Sequence, residues 1–214
     1  VKKTTAILIS GRGSNMGALI RAAEAADFPA RIGLVVSNVP GAAGLDTARA
    51  VGIATEVVDH RGYGKDREAF ERALHAVLER NGVEIVCLAG FMRLLTPWLV
   101  GRWNGRMINI HPALLPSFKG LDTHERALAA GVKIHGATVH FVSPEMDSGP
   151  IIVQGAVPVL ETDTVATLAA RVLAVEHRIY PMALGLLASG RVVIDGHRAS
   201  CGAASDGADT LIVP

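Results

Sequence analysis

The sequence predicts an α/β fold built on an open twisted sheet, parallel in its N-terminal half and mixed in its C-terminal half, with helices on both faces. Three observations predict it. Short apolar, β-rich runs alternate with helical patterns through the first half, as in chains of βαβ units. Those runs are apolar almost throughout, as strands covered on both faces must be. In the second half the pattern changes: Lys133–Val142 alternates between two unlike faces, and a turn-rich loop leads to another strand, so antiparallel pairing is expected there. Together these describe a Rossmann-like sheet.

TTAILIS, Thr4–Ser10, is the first strand. GRGSNMG follows, then a helix from about Asn15 to Ala26 that Ser14 or Asn15 can cap. Arg31–Asn38 is a second strand, a helix begins at Gly41, and Ile53–Val58 is a third strand. Lys65–Arg80 is amphipathic, with Phe70, Leu74, Val77 and Leu78 along one side. VEIVCLAG, Val83–Gly90, reads as a central strand. Met107–Pro112 is a short strand, PALLPSFKGLD a proline-stiffened loop, and Thr123–Ala130 a short helix. After Lys133–Val142 come the loop PEMDSGP and an antiparallel strand, Ile151–Val159. Thr164–Leu187 carries a long helical pattern with a kink expected near Pro181, followed by a short strand, Arg191–Ile194. From Gly196 the chain is small, polar and rich in Gly and Ala, the composition of a tail or an edge extension. The expected organisation is one domain over residues 1–195, in halves 1–105 and 106–195, with 196–214 as the tail.

The chain has 214 residues, 50% hydrophobic and 19% charged, which suits a folded domain rather than disorder. Aromatics are 4%, so Ala, Val, Leu and Ile must build the core. Lys and Arg number 21 against 20 Asp and Glu, with no long basic run. No nucleic-acid partner is therefore expected. No stretch has the apolar length of a membrane span or signal peptide, so no membrane partner and a cytoplasmic location are expected. Cys87 lies in an apolar run and reads as a buried thiol, and no CxxC spacing offers a metal site. The sequence leaves monomer and weak homodimer both open.

Ser10-Gly11-Arg12-Gly13-Ser14-Asn15 joins the first strand to the first helix. Glycines allow close backbone approach, and N–H groups at a helix start point at an anion. Phosphate binding, a dinucleotide site and a plain tight turn all fit such a loop. The dinucleotide reading is the weakest. The spacing is GxGxxxG through Gly17, and the second strand ends in Ser37-Asn38 where an acidic ribose-binding residue is wanted.

Asn109-Ile110-His111-Pro112 ends the fifth strand. Residues two apart project to one side of a strand, so Asn109 and His111 are expected together while Ile110 enters the core. Pro112 restricts His111 to an extended backbone. In an open α/β sheet ligands bind at the carboxyl ends of strands. An amide N–H and an imidazolium N–H aimed there suit the oxyanion that forms when an amine attacks a carbonyl carbon, and losing one such donor commonly costs about 3 kcal/mol. An anion beside the imidazole favours its charged form, and Asp147 in the Gly149-Pro150 turn is the candidate. Read alone, His111 fits a satisfied strand-end histidine equally, and Asp147 an Asx turn. No GxSxG elbow is present for a serine hydrolase. His135 and His140 are five apart, which sends them to opposite strand faces, and no HExxH is present, so zinc is not expected.

These segments resemble the glycinamide ribonucleotide formyltransferases, a folate-dependent formyltransferase family of purine synthesis. The likeness runs from Ile7 to about Gly190. LISGRGSN resembles the family's phosphate loop and LAGFMRLL, Leu88–Leu95, its folate-side segment. NIHPALLPSFKG, Asn109–Gly120, and HGATVHFVSPEMDSGP, His135–Pro150, resemble the shared formyltransferase signature. The family usually has Ser at the position of Ala113, a departure not expected to end activity.

The resemblance implies roles. Asn109, His111 and Asp147 are the catalytic trio, and Gly13, Ser14 and Asn15 bind the substrate phosphate. Glu176 holds the ribose hydroxyls, although by local pattern it is equally a solvated helix charge. Met92, Arg93, Leu94 and Leu95, with Asn109, belong to the folate site. By pattern alone Phe91, Met92, Leu94 and Leu95 are core or cleft lining. Arg67 meets the anionic end of a ligand, and Thr138 and His140 share a strand face behind the site. The implied cosubstrate is 10-formyltetrahydrofolate, the acceptor is glycinamide ribonucleotide, and no metal is needed. The 1–105 half then binds phosphate and ribonucleotide, and the 106–195 half catalyses and contacts folate.

Other folate enzymes share the NxHP signature. Methionyl-tRNA formyltransferases normally add a C-terminal domain and a basic surface, and formylfolate hydrolases an N-terminal regulatory domain. A nearly neutral chain whose first strand begins at Thr4 and which ends at Pro214 favours the ribonucleotide reading. A non-catalytic phosphate-ligand module is the remote alternative.

Overall fold

A computed structural model describes residues 1–202 and the backbone of 212–213. The chain divides into two compact units, Val1–Asn109 and Ile110–Pro214.

In the N-terminal unit β1 (Lys3–Ile9) pairs in parallel with β2 (Ala30–Ser37) on one side and β4 (Ile85–Leu88) on the other. The edge strand β3 (Ala54–Val57) pairs with β2. β5 (Met107–His111) pairs with β4 through Met107–Asn109. The order β5-β4-β1-β2-β3 makes β1 the strand where the winding reverses. Parallel crossovers are right-handed, so α1 (Ser14–Ala23) and α2 (Ala43–Ala50) cover one face. α3 (Arg67–Arg80) and α4 (Pro97–Arg102) cover the other. Ala6 to Ile9 and Leu34 to Val36 are buried, as strands between helix layers must be.

α3 buries the predicted stripe of Phe70, Leu74, Val77 and Leu78, and also Glu71. Asp66 caps it by accepting the Ala69 N–H at 2.9 Å. The cap of α1 differs from expectation. Gly13 takes the cap position at φ 67 with no side-chain cap hydrogen bond, and Ser14 and Asn15 are already helical.

The C-terminal unit pairs β6 (Ile134–Phe141) antiparallel with β7 (Ile151–Pro158), with a register shift between Val139 and His140. α6 (Val165–Ala188) packs on both strands and runs as one helix through Pro181. Gly155 permits that approach, since a Cβ there would lie 2.2 Å from Val175 Cγ1. α5 (Thr123–Ala129) precedes β6. Val192–Asp195 (β8) and Arg198–Cys201 (β9) form a hairpin around Gly196-His197. The first part of the expected tail is thus a turn and a strand. Its signal was Gly196 after an apolar run, and that glycine sits at φ 57 in the two-residue turn. β10 (Ile212–Val213) pairs antiparallel with β7. Residues 203–211 and 214 of that tail lie outside the described residues. Among the described residues no helix is long and apolar enough to cross a membrane.

Candidate active site

In the N-terminal unit the glycine loop leaves the carboxyl end of β1, the switch strand, where open sheets bind ligands. Gly13 starts α1, Ser14 is exposed and Asn15 buried. α2 supports the loop from behind: the Gly44 N–H donates to the Gly11 carbonyl at 3.1 Å. A Cβ on Gly44 would meet the Gly11 and Arg12 carbonyl oxygens at 2.9 and 3.0 Å. Ser10 stitches this loop to the segment after β4. Its N–H donates to the Gly90 carbonyl at 3.1 Å, and its hydroxyl accepts the Met92 N–H at 2.8 Å. The same hydroxyl donates to Asn38 Oδ1 at 2.6 Å.

That segment displays apolar side chains. Met92 and Leu94 are 70% and 64% exposed, while Phe91 is buried. Leu95 is half-buried. Arg93 stacks over Phe70 with its guanidinium 5.7 Å from the ring centroid. Arg67 donates from Nη2 to the Leu94 carbonyl at 2.8 Å. Asn109, half-buried, closes the unit on β5.

The C-terminal unit begins with Ile110, buried as expected, and His111, also buried. The His111 ring lies between two oxygens. Nδ1 is 3.4 Å from Asp147 Oδ2, and Nε2 is 2.9 Å from the Phe118 carbonyl. A neutral imidazole can donate to one of these, and a doubly protonated ring to both. The Asp147 side chain is 10% exposed and also reaches His140, with Oδ1 3.8 Å from Nε2. The Gly120 N–H donates to Asp147 Oδ2 at 2.9 Å, and Asp147 itself sits at φ 51. Gly149 closes the turn that delivers it, because a Cβ there would fall 1.8 Å from the Phe141 carbonyl oxygen. Lys119 binds the Ser148 hydroxyl and lies 3.6 Å from Glu145.

The buried histidines His135 and His140 and the half-buried His124 are held toward the neutral form. Burial lowers His140 despite the Phe141 carbonyl and Asp147. Burial, then the charge of His111, lowers His124. Burial, then His124, pushes His135 down to about 4.

Thr138 and His140 serve different groups. Thr138 donates to the Ala113 carbonyl at 2.7 Å, and accepts from Leu115 N and Gln154 Nε2 at 3.0 Å each. His140, beyond the register shift, faces Asp147. Glu176 is buried on α6, which removes the solvated-charge reading. Ala113 is fully buried. Among the described residues no group of three His, Cys, Asp or Glu could hold a metal ion.

Sequence reasoning passed over Ser10, Gly44, Phe118, Lys119 and Gly120. Three of these act through main-chain atoms, which carry no side-chain signature.

The N-terminal unit is an open α/β sheet with a glycine loop at its switch strand, and the C-terminal unit sets an imidazole between a carboxylate and a carbonyl, residue types that suit group transfer. Residues 3–184 match the formyl transferase family, and the chain belongs to it. It is 43% identical to the phosphoribosylglycinamide formyltransferase of Escherichia coli (strain K12), over 87% of each chain. It is 51% identical to the Homo sapiens trifunctional purine biosynthetic protein adenosine-3 over 94% of its own length. It spans only 20% of that longer protein. The crystal structure of glycinamide ribonucleotide transformylase 1 from Symbiobacterium toebii superposes with a TM-score of 0.90 at 46% identity, covering 94% of each chain.

Proposed function

We propose that this protein transfers the formyl group of 10-formyltetrahydrofolate to the amine of glycinamide ribonucleotide, giving formylglycinamide ribonucleotide and tetrahydrofolate. The observation that carries the reading is the setting of His111, with one ring nitrogen on Asp147 and the other on a main-chain carbonyl, on the strand that bears Asn109. Family membership and the two similar full-length formyltransferases support the choice of substrates.

The phosphate is taken by the N–H groups of Gly13, Ser14 and Asn15, and Glu176 takes the ribose hydroxyls. Met92, Arg93, Leu94 and Leu95 present the folate-side backbone, and Arg67 meets the anionic end of the folate while Nη2 keeps the Leu94 carbonyl. The amine adds to the formyl carbon, and the carbonyl oxygen becomes an oxyanion. Asn109 and protonated His111 donate to it, and His111 Nε2 gives up the Phe118 carbonyl to do so. Each such donor contributes about 3 kcal/mol. The bond from carbon to N10 then breaks, N10 gains a proton and the former amine loses one. Asp147 orients His111 and assists that transfer. Holding both reactants together makes the step effectively unimolecular, a gain of about 7 kcal/mol when alignment is good.

The test is an assay with formylfolate, glycinamide ribonucleotide and water as the competing acceptor. Formyl should accumulate on the ribonucleotide in step with tetrahydrofolate. Formate released at the same rate with or without ribonucleotide would identify a hydrolase instead.

A further inference from the structure

We propose that Glu71 is a positioning residue for Met92–Leu95, an inference that rests on giving this segment to the folate. A glutamate on a surface helix ordinarily points to water. Glu71 is 1% exposed, in line with Leu74 and Leu78 on the buried stripe of α3. Its carboxylate accepts the Thr96 N–H at 2.6 Å and also the Thr96 hydroxyl. Thr96 is the N-cap of α4, yet its side chain makes no capping bond there. The hydroxyl that would serve α4 is committed to Glu71.

The segment before Thr96 is therefore anchored at both ends. Ser10 holds the Met92 N–H at one end and Glu71 holds Thr96 at the other. Arg67, one turn before Glu71 on the same helix, holds the Leu94 carbonyl between them. On this fixed backbone Met92 and Leu94 stand out into solvent. A fold that needed only to pack α3 against α4 would be served as well by an apolar side chain, which has no desolvation penalty to offset. A buried carboxylate with both oxygens engaged fixes a backbone, and preorganised backbone is what ring recognition requires.

Glu71→Leu and Glu71→Gln separate this role from packing. In Glu71→Leu the protein should still fold, with a lowered thermal midpoint because the Thr96 N–H loses its acceptor. The KM for formylfolate and the Kd for tetrahydrofolate should each rise about tenfold, the effect of losing charge-assisted bonds. The KM for glycinamide ribonucleotide should stay within about twofold. Glu71→Gln, which still accepts the Thr96 N–H but through a neutral oxygen, should show a smaller rise of about threefold, also confined to folate. Unchanged folate constants in Glu71→Leu, or equal rises for both substrates, would overturn the inference. If Glu71→Leu does not fold, Glu71→Gln decides alone: a rise confined to folate supports the inference, and no rise overturns it. A wild-type protein with no saturable tetrahydrofolate binding defeats the folate reading itself. Wild-type binding that the variants leave untouched defeats only the role of Glu71.

Discussion

In the N-terminal unit side chains hold main-chain atoms and so fix the course of Met92–Thr96. Ser10 fixes the Met92 N–H, Arg67 the Leu94 carbonyl and Glu71 the Thr96 N–H. In the C-terminal unit the relation is reversed. The groups that can do chemistry are side chains, and main-chain atoms hold them: the Phe118 carbonyl meets His111, and the Gly120 N–H meets Asp147. A main-chain frame recognises shape, and a substitution near it distorts binding. A side chain that moves protons has no substitute, and its loss removes turnover. The main-chain frame and the reacting side chains should therefore fail in different kinetic constants.

The largest effect belongs to His111. His111→Ala should lower kcat by about 100-fold to 1,000-fold, roughly 3 to 4 kcal/mol of transition-state stabilisation. Both KM values should change little, because the residues proposed for phosphate and folate do not include the imidazole. Turnover at saturating substrates is the measurement. A variant that kept kcat and raised a KM would break the contrast between the units.

Acid separates them next. His124, His135 and His140 all lie in the C-terminal unit with lowered values, His135 at about 4. The unfolded chain takes up protons near the ordinary 6.5, before the folded chain does. Stability is thus complete above about pH 6.5 and declines as pH falls from there toward about 4. His135 alone contributes a loss on the order of 2 kcal/mol over that window. The urea midpoint measured from pH 7 down to about pH 5 should fall in the wild type. It should fall less in His135→Leu. Parallel curves for the two proteins would exclude His135 as the source.

Much of the fold was legible because it rests on patterns with a period. The run VEIVCLAG could be nothing but a central strand, and the stripe of Phe70, Leu74, Val77 and Leu78 could only be one helix face. Asp147 was legible only as a candidate partner for His111, with an Asx turn as the other reading, and the structure brings the two within 3.4 Å. The hidden parts were of another kind. Glu71 shares its helix face with Leu74 and Leu78, but a charged residue carries no mark of burial until its partner is known. That partner, Thr96, lies 25 positions away and offers a backbone N–H. Gly13 took the cap that Ser14 and Asn15 were expected to provide, because the left-handed backbone at that point selects glycine over a capping side chain. The strand Arg198–Cys201 looked like a tail or an edge extension because small polar residues have no hydrophobic period, and only Gly196 betrayed the hairpin.

The smallest effect tests the main-chain side of the contrast. Gly44 is not among the proposed reacting groups, and the three atoms nearest a Cβ added to it are Ile9 Cδ1 and the Gly11 and Arg12 carbonyl oxygens. An added Cβ would sit 2.6 Å from Ile9 Cδ1, which can rotate away, but 2.9 Å from the Gly11 oxygen, which cannot move without reshaping the loop. Gly44→Ala should therefore displace the glycine loop by a few tenths of an ångström. The N–H groups after it would lose their common aim. The expected result is a rise of about fivefold to tenfold in the KM for glycinamide ribonucleotide, near 1 kcal/mol, with kcat and the KM for formylfolate nearly unchanged. A fall in kcat without a change in that KM would mean the glycine loop acts on the reacting groups rather than on the phosphate, and the division between a binding frame and a reacting pair would have to be redrawn.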